Sequence, residues 1–117
     1  MATPLEGIAL ALVEGAPDGV VVSHDGTVLF ANEAAARMLG YESPRAMEGV
    51  PLSQWLLPEE AQEMGRRIHA MLTTGERFPP REYGARRLDG SPLRAEITST
   101  PFVWEGRPAI VAFARLT

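Results

Sequence analysis

Cysteine and lysine are both absent from this 117-residue sequence, and histidine occurs only at His24 and His69. Without cysteine, the chain cannot form disulfides, thiolate zinc sites, iron–sulfur clusters or a catalytic thiolate. Without lysine, it has no P-loop lysine and no side-chain amine that could form a Schiff base. Two imidazoles are also too few for a three-histidine metal site, and they make a Ser-His-Asp triad hard to assemble. We therefore expect no catalytic residues and no metal site.

Positive charge is scarce as well, because 11 arginines stand against 15 acidic residues and leave a net charge of -4. The basic surface that nucleic acid or anionic lipid requires is therefore not expected. The apolar run at residues 8–13 is far shorter than a membrane span, and no basic leader precedes it. We expect a cytoplasmic protein that binds neither nucleic acid nor membrane.

Hydrophobic periodicity predicts a helix and two strands, followed by several helices and three more strands. The strands are predicted at residues 20–22, 27–30, 81–88, 93–104 and 108–116. Asp25 and Gly26 predict the first hairpin turn, since both residues tolerate a positive φ. Residues 89–91 and 105–107 predict two more turns. The first and last strands are apolar on both faces, so we expect them in the centre of the sheet.

Capping residues delimit the predicted helices. Helices are expected at residues 4–14, 33–39 and 58–74, with shorter helical turns around 45–48 and 53–57. Asn32 is a preferred N-cap and Gly40 a preferred C′ residue for the second helix. Glu59 and Glu60 are interpreted as partners of the helix dipole at the start of the long helix. The apolar stripe of that helix comprises Ala61, Met64, Ile68, Met71 and Leu72.

The N-terminal helix is amphipathic, with Leu5, Ile8 and Leu12 on one face. A helix this short is unstable alone, so its apolar face must be buried. Packing on the outer face of the last strand, with the helices paired across a two-fold axis, would form a symmetric homodimer. We predict that these three residues form the dimer interface. The predicted organisation is a helix at residues 1–15 and a domain at 16–117.

Small residues on the predicted sheet lie beneath bulky residues of the predicted helices. The small residues are Ala95, Ser99, Ala109, Ala112 and Ala114. This arrangement either closes a dry core or leaves room for a small apolar ligand, and few polar groups are available to orient one. The predicted pocket residues are Met38, Trp55, Met64, Ile68, Met71, Tyr83, Ile97, Ser99 and Ala112.

Two segments resemble a PAS domain, and the similarity covers essentially residues 10–117. The resembling segments are the run from Ala16 to Tyr41, with Asp25, Gly26, Asn32 and Gly40, and the hairpin from Arg86 to Ser91. The resemblance implies an α+β fold with a five-stranded antiparallel sheet of order 2-1-5-4-3 and helices over one face. It also implies a sensory or dimerisation module that relays a signal to an output domain in the same polypeptide. That polypeptide is expected to be a two-component histidine kinase.

The chain ends on Arg115-Leu116-Thr117, where family members often have an Asp-Ile-Thr-like tripeptide that leads into a coiled-coil linker. An arginine thus stands where an aspartate is usual. We expect the sequence to be one domain of a longer protein.

Haem and flavin are the cofactors that the resemblance raises. His69 lies in the helix where haem-binding PAS members carry their axial histidine, but it falls about 100° from the apolar stripe. Met64 faces inward, where methionine usually fills the core. The cysteine that forms a flavin photoadduct has no counterpart. We expect no cofactor; a haem- or flavin-bearing sensor and a small thioesterase-like enzyme are the alternative functions.

Overall fold

The computed structural model describes residues 11–117, in which one five-stranded sheet carries helices on one face. The strands are β1 (Gly19–His24), β2 (Thr27–Ala31), β3 (Arg81–Arg86), β4 (Pro92–Trp104) and β5 (Arg107–Leu116). Neighbouring strands are antiparallel and their order is β2-β1-β5-β4-β3. The predicted fold and strand order are confirmed, and the two strands that are apolar on both faces lie side by side inside the sheet.

Two α-helices and two 3-10 turns form the layer over the sheet. They are α1 (Glu33–Leu39), the first 3-10 turn (Pro44–Met47), the second 3-10 turn (Leu52–Gln54) and α2 (Pro58–Thr74). Residues 11–15 are also helical. Leu5 and Ile8 of the predicted N-terminal helix lie outside the described residues. Between residues 11 and 117, none of the helices has the length and hydrophobicity needed to cross a bilayer.

The β1–β2 and β4–β5 hairpins turn through residues with a left-handed backbone. Asp25 and Gly26 have φ values of 50° and 75°, and Glu105 and Gly106 have φ values of 48° and 80°. Two successive positive φ angles match the right-handed twist of the flanking strands. Asp25 and Gly26 therefore have the structural role that the sequence predicts.

The buried side chain of Asn32 makes four hydrogen bonds. Its Oδ1 accepts from the backbone N–H of Ala35 at 3.0 Å, which caps α1, and from that of Val20 at 2.9 Å. Its Nδ2 donates to the carbonyls of Val13 at 2.8 Å and Asp18 at 3.1 Å. The predicted N-cap is confirmed, and the same amide also joins α1 to the start of β1 and to the N-terminal helical segment.

The other end of α1 is also closed as the sequence predicts. Gly40 follows the helix with a φ of 83°. Only glycine adopts this left-handed backbone at little cost, which makes it the preferred residue after a helix.

Glu60 fixes α2 to β3. Its carboxylate accepts from Arg81 Nη1 at 3.2 Å and Nη2 at 3.3 Å, and from the backbone N–H of Gly84 at 3.0 Å. The Arg81 guanidinium lies 4.4 Å from the centroid of the Tyr83 ring. Glu60 lies in the first turn of α2, as its interpretation as a partner of the helix dipole requires, and its carboxylate also joins two elements that are distant in sequence.

Glu63 holds two arginines of α2 beside the chain that follows the helix. It accepts from Arg66 Nη2 at 2.8 Å and from Arg67 Nε at 2.9 Å. Arg67 in turn donates to the carbonyl of Pro79 at 3.3 Å and lies 4.9 Å from the centroid of the Phe78 ring. The hydrogen bonds from Arg66 and Arg67 lower the pKa of the Glu63 carboxyl to about 2.

The buried stripe of α2 is narrower than predicted. Met71 is buried and Met64 and Ile68 are half-buried, but Leu72 is 44% exposed. Leu72 is about 100° around the helix from Met71. It therefore faces away from the sheet that buries Met71.

We predict that Asn32→Ala lowers the free energy of unfolding by about 3 kcal/mol, because it removes a helix cap and leaves further buried backbone groups without partners. Chemical denaturation measures this loss. Ser43→Ala is the control, since Ser43 caps a 3-10 turn at an exposed site through a longer bond of 3.4 Å. It should cost about 0.5 kcal/mol or less. Equal losses in the two variants would contradict the central role of Asn32.

We predict that the pKa of Glu63 is about 2 in the folded protein and rises toward 4.5 in Arg66→Gln/Arg67→Gln. A carboxyl with a lower pKa in the folded state stabilises the fold above its unfolded pKa. That contribution disappears as the pH falls from about 4.5 to about 2. The contribution of Glu63 to the free energy of unfolding is small, because solvent screens a surface ion pair.

Carboxyl carbon NMR measures the titration of Glu63 directly. Arg77→Gln is the matched control, since Arg77 is an exposed arginine just after α2. A wild-type Glu63 pKa that the double substitution leaves unchanged would contradict the ion pairs.

Candidate functional site

A cavity of about 80 Å³ lies between the sheet and the helical layer. Side chains of β1, β3, β4 and β5 form its floor, and side chains of α1, α2 and the segment around the second 3-10 turn cover it. Alternate residues of a strand share one face, so every second residue of these strands reaches the cavity. A void of about 150 Å³ can hold benzene, so the space here suits a molecule of a few non-hydrogen atoms.

Eight of the nine predicted pocket residues line this cavity. They are Met38, Trp55, Met64, Ile68, Tyr83, Ile97, Ser99 and Ala112. The ninth, Met71, is buried beside it and lines a smaller adjoining void. Ala109 does not line the cavity because it alternates with Ile110 along β5 and so belongs to the other face.

Sequence reasoning missed lining residues of β1, α1 and the loop before α2. Examples are Val21, Ser23, Leu39, Leu52 and Leu56. The alternation of β1 was a signal that could have found Val21 and Ser23, since both fall on the same face of that strand. The loop residues had no such signal, because 3-10 turns bury side chains without a regular period.

The cavity lining is apolar, and no charged side chain contributes to it among the described residues. The Trp55 indole N–H donates to the Tyr41 hydroxyl at 2.9 Å and is thereby satisfied. Burial raises the pKa of the Tyr83 hydroxyl, which therefore stays neutral at physiological pH. Ser23 and Ser99 are also polar residues of the lining. An uncharged ligand suits such a lining, because a charge would lose its hydration without gaining a partner.

Neither histidine belongs to the cavity. His69 is exposed on α2, as its position about 100° around the helix from the apolar stripe predicts. His24 Nδ1 is hydrogen-bonded to the Pro108 carbonyl at 2.6 Å, which joins the end of β1 to β5. Within residues 11–117, no three His, Asp or Glu side chains come close enough to hold a metal ion.

The opposite side of the sheet carries a second apolar surface, which we call the outer apolar face. Val20 and Val22 are buried within it, whereas Val103 is 72% exposed. The face comprises Val13, Val20, Val22, Phe30, Phe102, Val103, Trp104, Val111 and Phe113, and Glu105 also lines it. Three aromatic rings cluster there, since the Trp104 centroid lies 6.0 Å from both Phe30 and Phe102. Phe113 on β5 is 38% exposed, and Leu12 on the N-terminal helical segment is 69% exposed.

Comparison with known proteins places these features in a family context. Sporulation kinase A of Bacillus subtilis is 29% identical over 98 residues, which are 84% of this chain and 16% of that protein. The PAS domain of a two-component sensor histidine kinase has a TM-score of 0.74 at 17% identity, with 95% of each chain covered. The PAS domain of a LuxR-family transcriptional regulator from Burkholderia thailandensis, solved in complex with ethanol, also gives 0.74, at 16% identity and 92% and 95% coverage.

A family model also matches most of the chain. The model of the family described as PAS domain matches residues 17–115, from the turn before β1 almost to the end of β5. This match includes every strand, both helices and all the residues that line the cavity. The chain therefore belongs to the PAS domain family of sensory modules.

Proposed function

We propose that this domain senses a small uncharged molecule in the cavity, pairs with a second copy and relays the signal to an output domain. The output domain would belong to the same polypeptide, a cytoplasmic two-component histidine kinase. The cavity is the observation that carries this proposal, because it is an apolar space between the sheet and the helical layer in a family of sensory modules. Support for the kinase comes from the relationship to Sporulation kinase A, of which this chain spans 16%.

The ligand is expected to be a short alcohol or a molecule of similar size and polarity. Apolar side chains surround almost all of the space, while the hydroxyls of Ser23, Ser99 and Tyr83 are the polar groups of its lining. Such a site gains from apolar contact and can orient one hydroxyl. The related PAS domain solved with ethanol shows that a molecule this small is bound by one member of the fold.

The space is too small for haem or flavin, and the exposed His69 is not aimed into it. A haem- or flavin-bearing sensor, the first alternative, would require the helical layer to move away from the sheet. A Soret or flavin band in the absorption spectrum of the purified protein would favour that alternative. A thioesterase-like enzyme, the second alternative, would need a carboxylate at the cavity, but Glu60 on α2 is engaged by Arg81 and Gly84.

Signal relay is supported by the position of β5. Ala112 and Ala114 contribute to the cavity floor, and the strand ends at Leu116. Arg115 donates through Nε and Nη2 to the two carboxylate oxygens of Asp18, each at 3.2 Å. A ligand that displaces β5 would therefore also move the end of this strand and the ion pair beside it.

Dimerisation is supported by the outer apolar face. Leu12 and Phe113 are both exposed, and Val13 lies at the edge of this face. A second copy that packs its N-terminal helix here would remove apolar surface from water on both chains. We propose that Leu5, Ile8 and Leu12 form this interface with the outer apolar face across a two-fold axis.

We predict that short alcohols bind beside Trp55 and change its fluorescence in Trp104→Phe, a variant that leaves Trp55 as the only tryptophan. Each added methylene, from ethanol to 1-propanol to 1-butanol, should tighten binding by about 0.8 kcal/mol until the chain outgrows the cavity. Ala112→Leu in the same background should abolish the response, because the larger side chain occupies the space.

Ala70→Leu is the matched control for the cavity-filling variant, since Ala70 is a residue of α2 outside the cavity lining. It should leave the alcohol titration unchanged. A response that does not saturate, or that persists in Ala112→Leu, would contradict binding in the cavity.

We predict that the wild-type protein is a dimer and that Ile8→Glu/Leu12→Glu and Phe113→Glu each shift it toward monomer. The added carboxylates would be buried without partners in the proposed interface. Light scattering at high micromolar concentration measures the mass, and circular dichroism checks the fold. Leu72→Glu, which changes a similarly exposed residue on α2, is the control and should remain dimeric. A monomeric wild type would refute this interface.

A further inference from the structure

We infer that ligands reach the cavity through a seam between α2 and the β1–β2 hairpin, and that the side chains of this seam admit only small uncharged molecules. The inference rests on the proposed function, since it concerns the ligand of the same cavity. The seam is closed by Leu52, Leu56, Met64 and Ile68.

A solvent-facing groove of about 280 Å³ marks the outer side of the seam. Its rim includes Asp25, Thr27 and Ser53, and its base includes Ala61 and Gly65 of α2. The four seam residues line both this groove and the cavity, and all four are half-buried. Cavity and groove are thus separated by a layer one side chain thick.

Both walls of the seam are attached to the sheet. The second 3-10 turn is held to the β1–β2 hairpin, because the Leu52 N–H donates to the Gly26 carbonyl at 2.8 Å and Thr27 forms a bridge with Pro51. The chain after this turn is held to β3 by a bridge between Leu56 and Ala85. On the other wall, Glu60 fixes α2 to β3. The first wall is therefore fixed at both edges of the sheet, whereas α2 is fixed at one.

Only apolar contact holds the seam closed. Among the described residues, no hydrogen bond or ion pair joins α2 to the β1–β2 turn or to the second 3-10 turn. Separation of these walls would break no polar interaction, whereas movement of α2 away from β3 would break several. The seam is therefore the least costly place for the cavity to open.

The opposite flank of α2 offers less space. The void there is about 10 Å³, and its lining includes Arg67, Phe78 and Pro79. Arg67 is only 19% exposed and is held by Glu63 and by the Pro79 carbonyl. A ligand on this path would have to break these polar contacts, whereas the seam has only apolar contacts to part.

The seam also restricts which molecules pass. A charged ligand would lose its hydration while crossing four apolar side chains, and none of the seam residues offers a compensating charge. A long or branched ligand would require the walls to separate further. Uncharged molecules of a few non-hydrogen atoms meet both conditions.

Gly65→Leu tests the route. Gly65 lines the groove but not the cavity, and a Cβ at this position meets open space, so the new side chain can cover the seam without distorting the fold. Apolar contacts between the new leucine side chain and the seam residues would stabilise the closed form of the seam, whether or not a ligand is bound. Association and dissociation rates should therefore fall together by about tenfold, while the dissociation constant stays within about twofold.

The measurement is fluorine NMR of trifluoroethanol at low millimolar concentration, with exchange rates taken from line shapes and saturation transfer. Ala61→Leu gives a second test, since Ala61 also lines the groove and not the cavity. Gln62→Leu is the control, because it adds the same side chain at an exposed position of α2 outside the groove. Its rates should match those of the wild type.

The outcomes separate this inference from the proposed function. If trifluoroethanol binds and both groove variants keep wild-type rates, the route is wrong although the cavity is a binding site. If the affinity falls in proportion to the association rate, the new side chains obstruct the site itself and the seam is not the route. If the wild type binds no trifluoroethanol, both the inference and the ligand-binding proposal fail.

Discussion

The buried amide of Asn32 determines how the helical layer meets the sheet. A carboxylate could accept the two N–H groups that this side chain receives but could not donate to the carbonyls of Val13 and Asp18. A serine could cap α1 but could not reach all four groups. Only a primary amide fits, because it presents an acceptor and two donors in one plane. The start of β1, the start of α1 and the N-terminal helical segment are therefore fixed relative to one another by one residue.

The two faces of the sheet follow from the alternation of its strands, and β5 contributes to both. Ala112 and Ala114 leave space on the inner face, while Val111 and Phe113 project onto the outer apolar face. The cavity and the proposed dimer surface are thus separated by one backbone layer. A change in packing on the inner face that moves β5 therefore also moves the residues of this strand on the outer apolar face.

The parts of the fold that were predictable from sequence depend on local chemistry. The Asp25-Gly26 turn and the Asn32 and Gly40 caps each act within a few residues, and most of the cavity lining follows from helix and strand periodicity. The contact between Glu60 and Arg81 was missed because the two residues are 21 positions apart and no local pattern links them. Leu72 was predicted to belong to the buried stripe of α2, because a stripe of apolar residues does not show how far the surface that packs against it extends. Leu52 and Leu56 were missed because their burial depends on the assembled helical layer.

The ion pair at the end of β5 joins the last strand to the start of the sheet. Arg115 of β5 pairs with Asp18, which lies in the turn before β1. The carbonyl of the same Asp18 accepts from Asn32, so its backbone and side chain are both held. The last residues of β5 are thereby tied to the amide that positions α1 and the N-terminal helical segment. Because Arg115 is 72% exposed and solvent screens the pair, its separation costs little, and the end of β5 can move while the buried amide holds the rest of the junction.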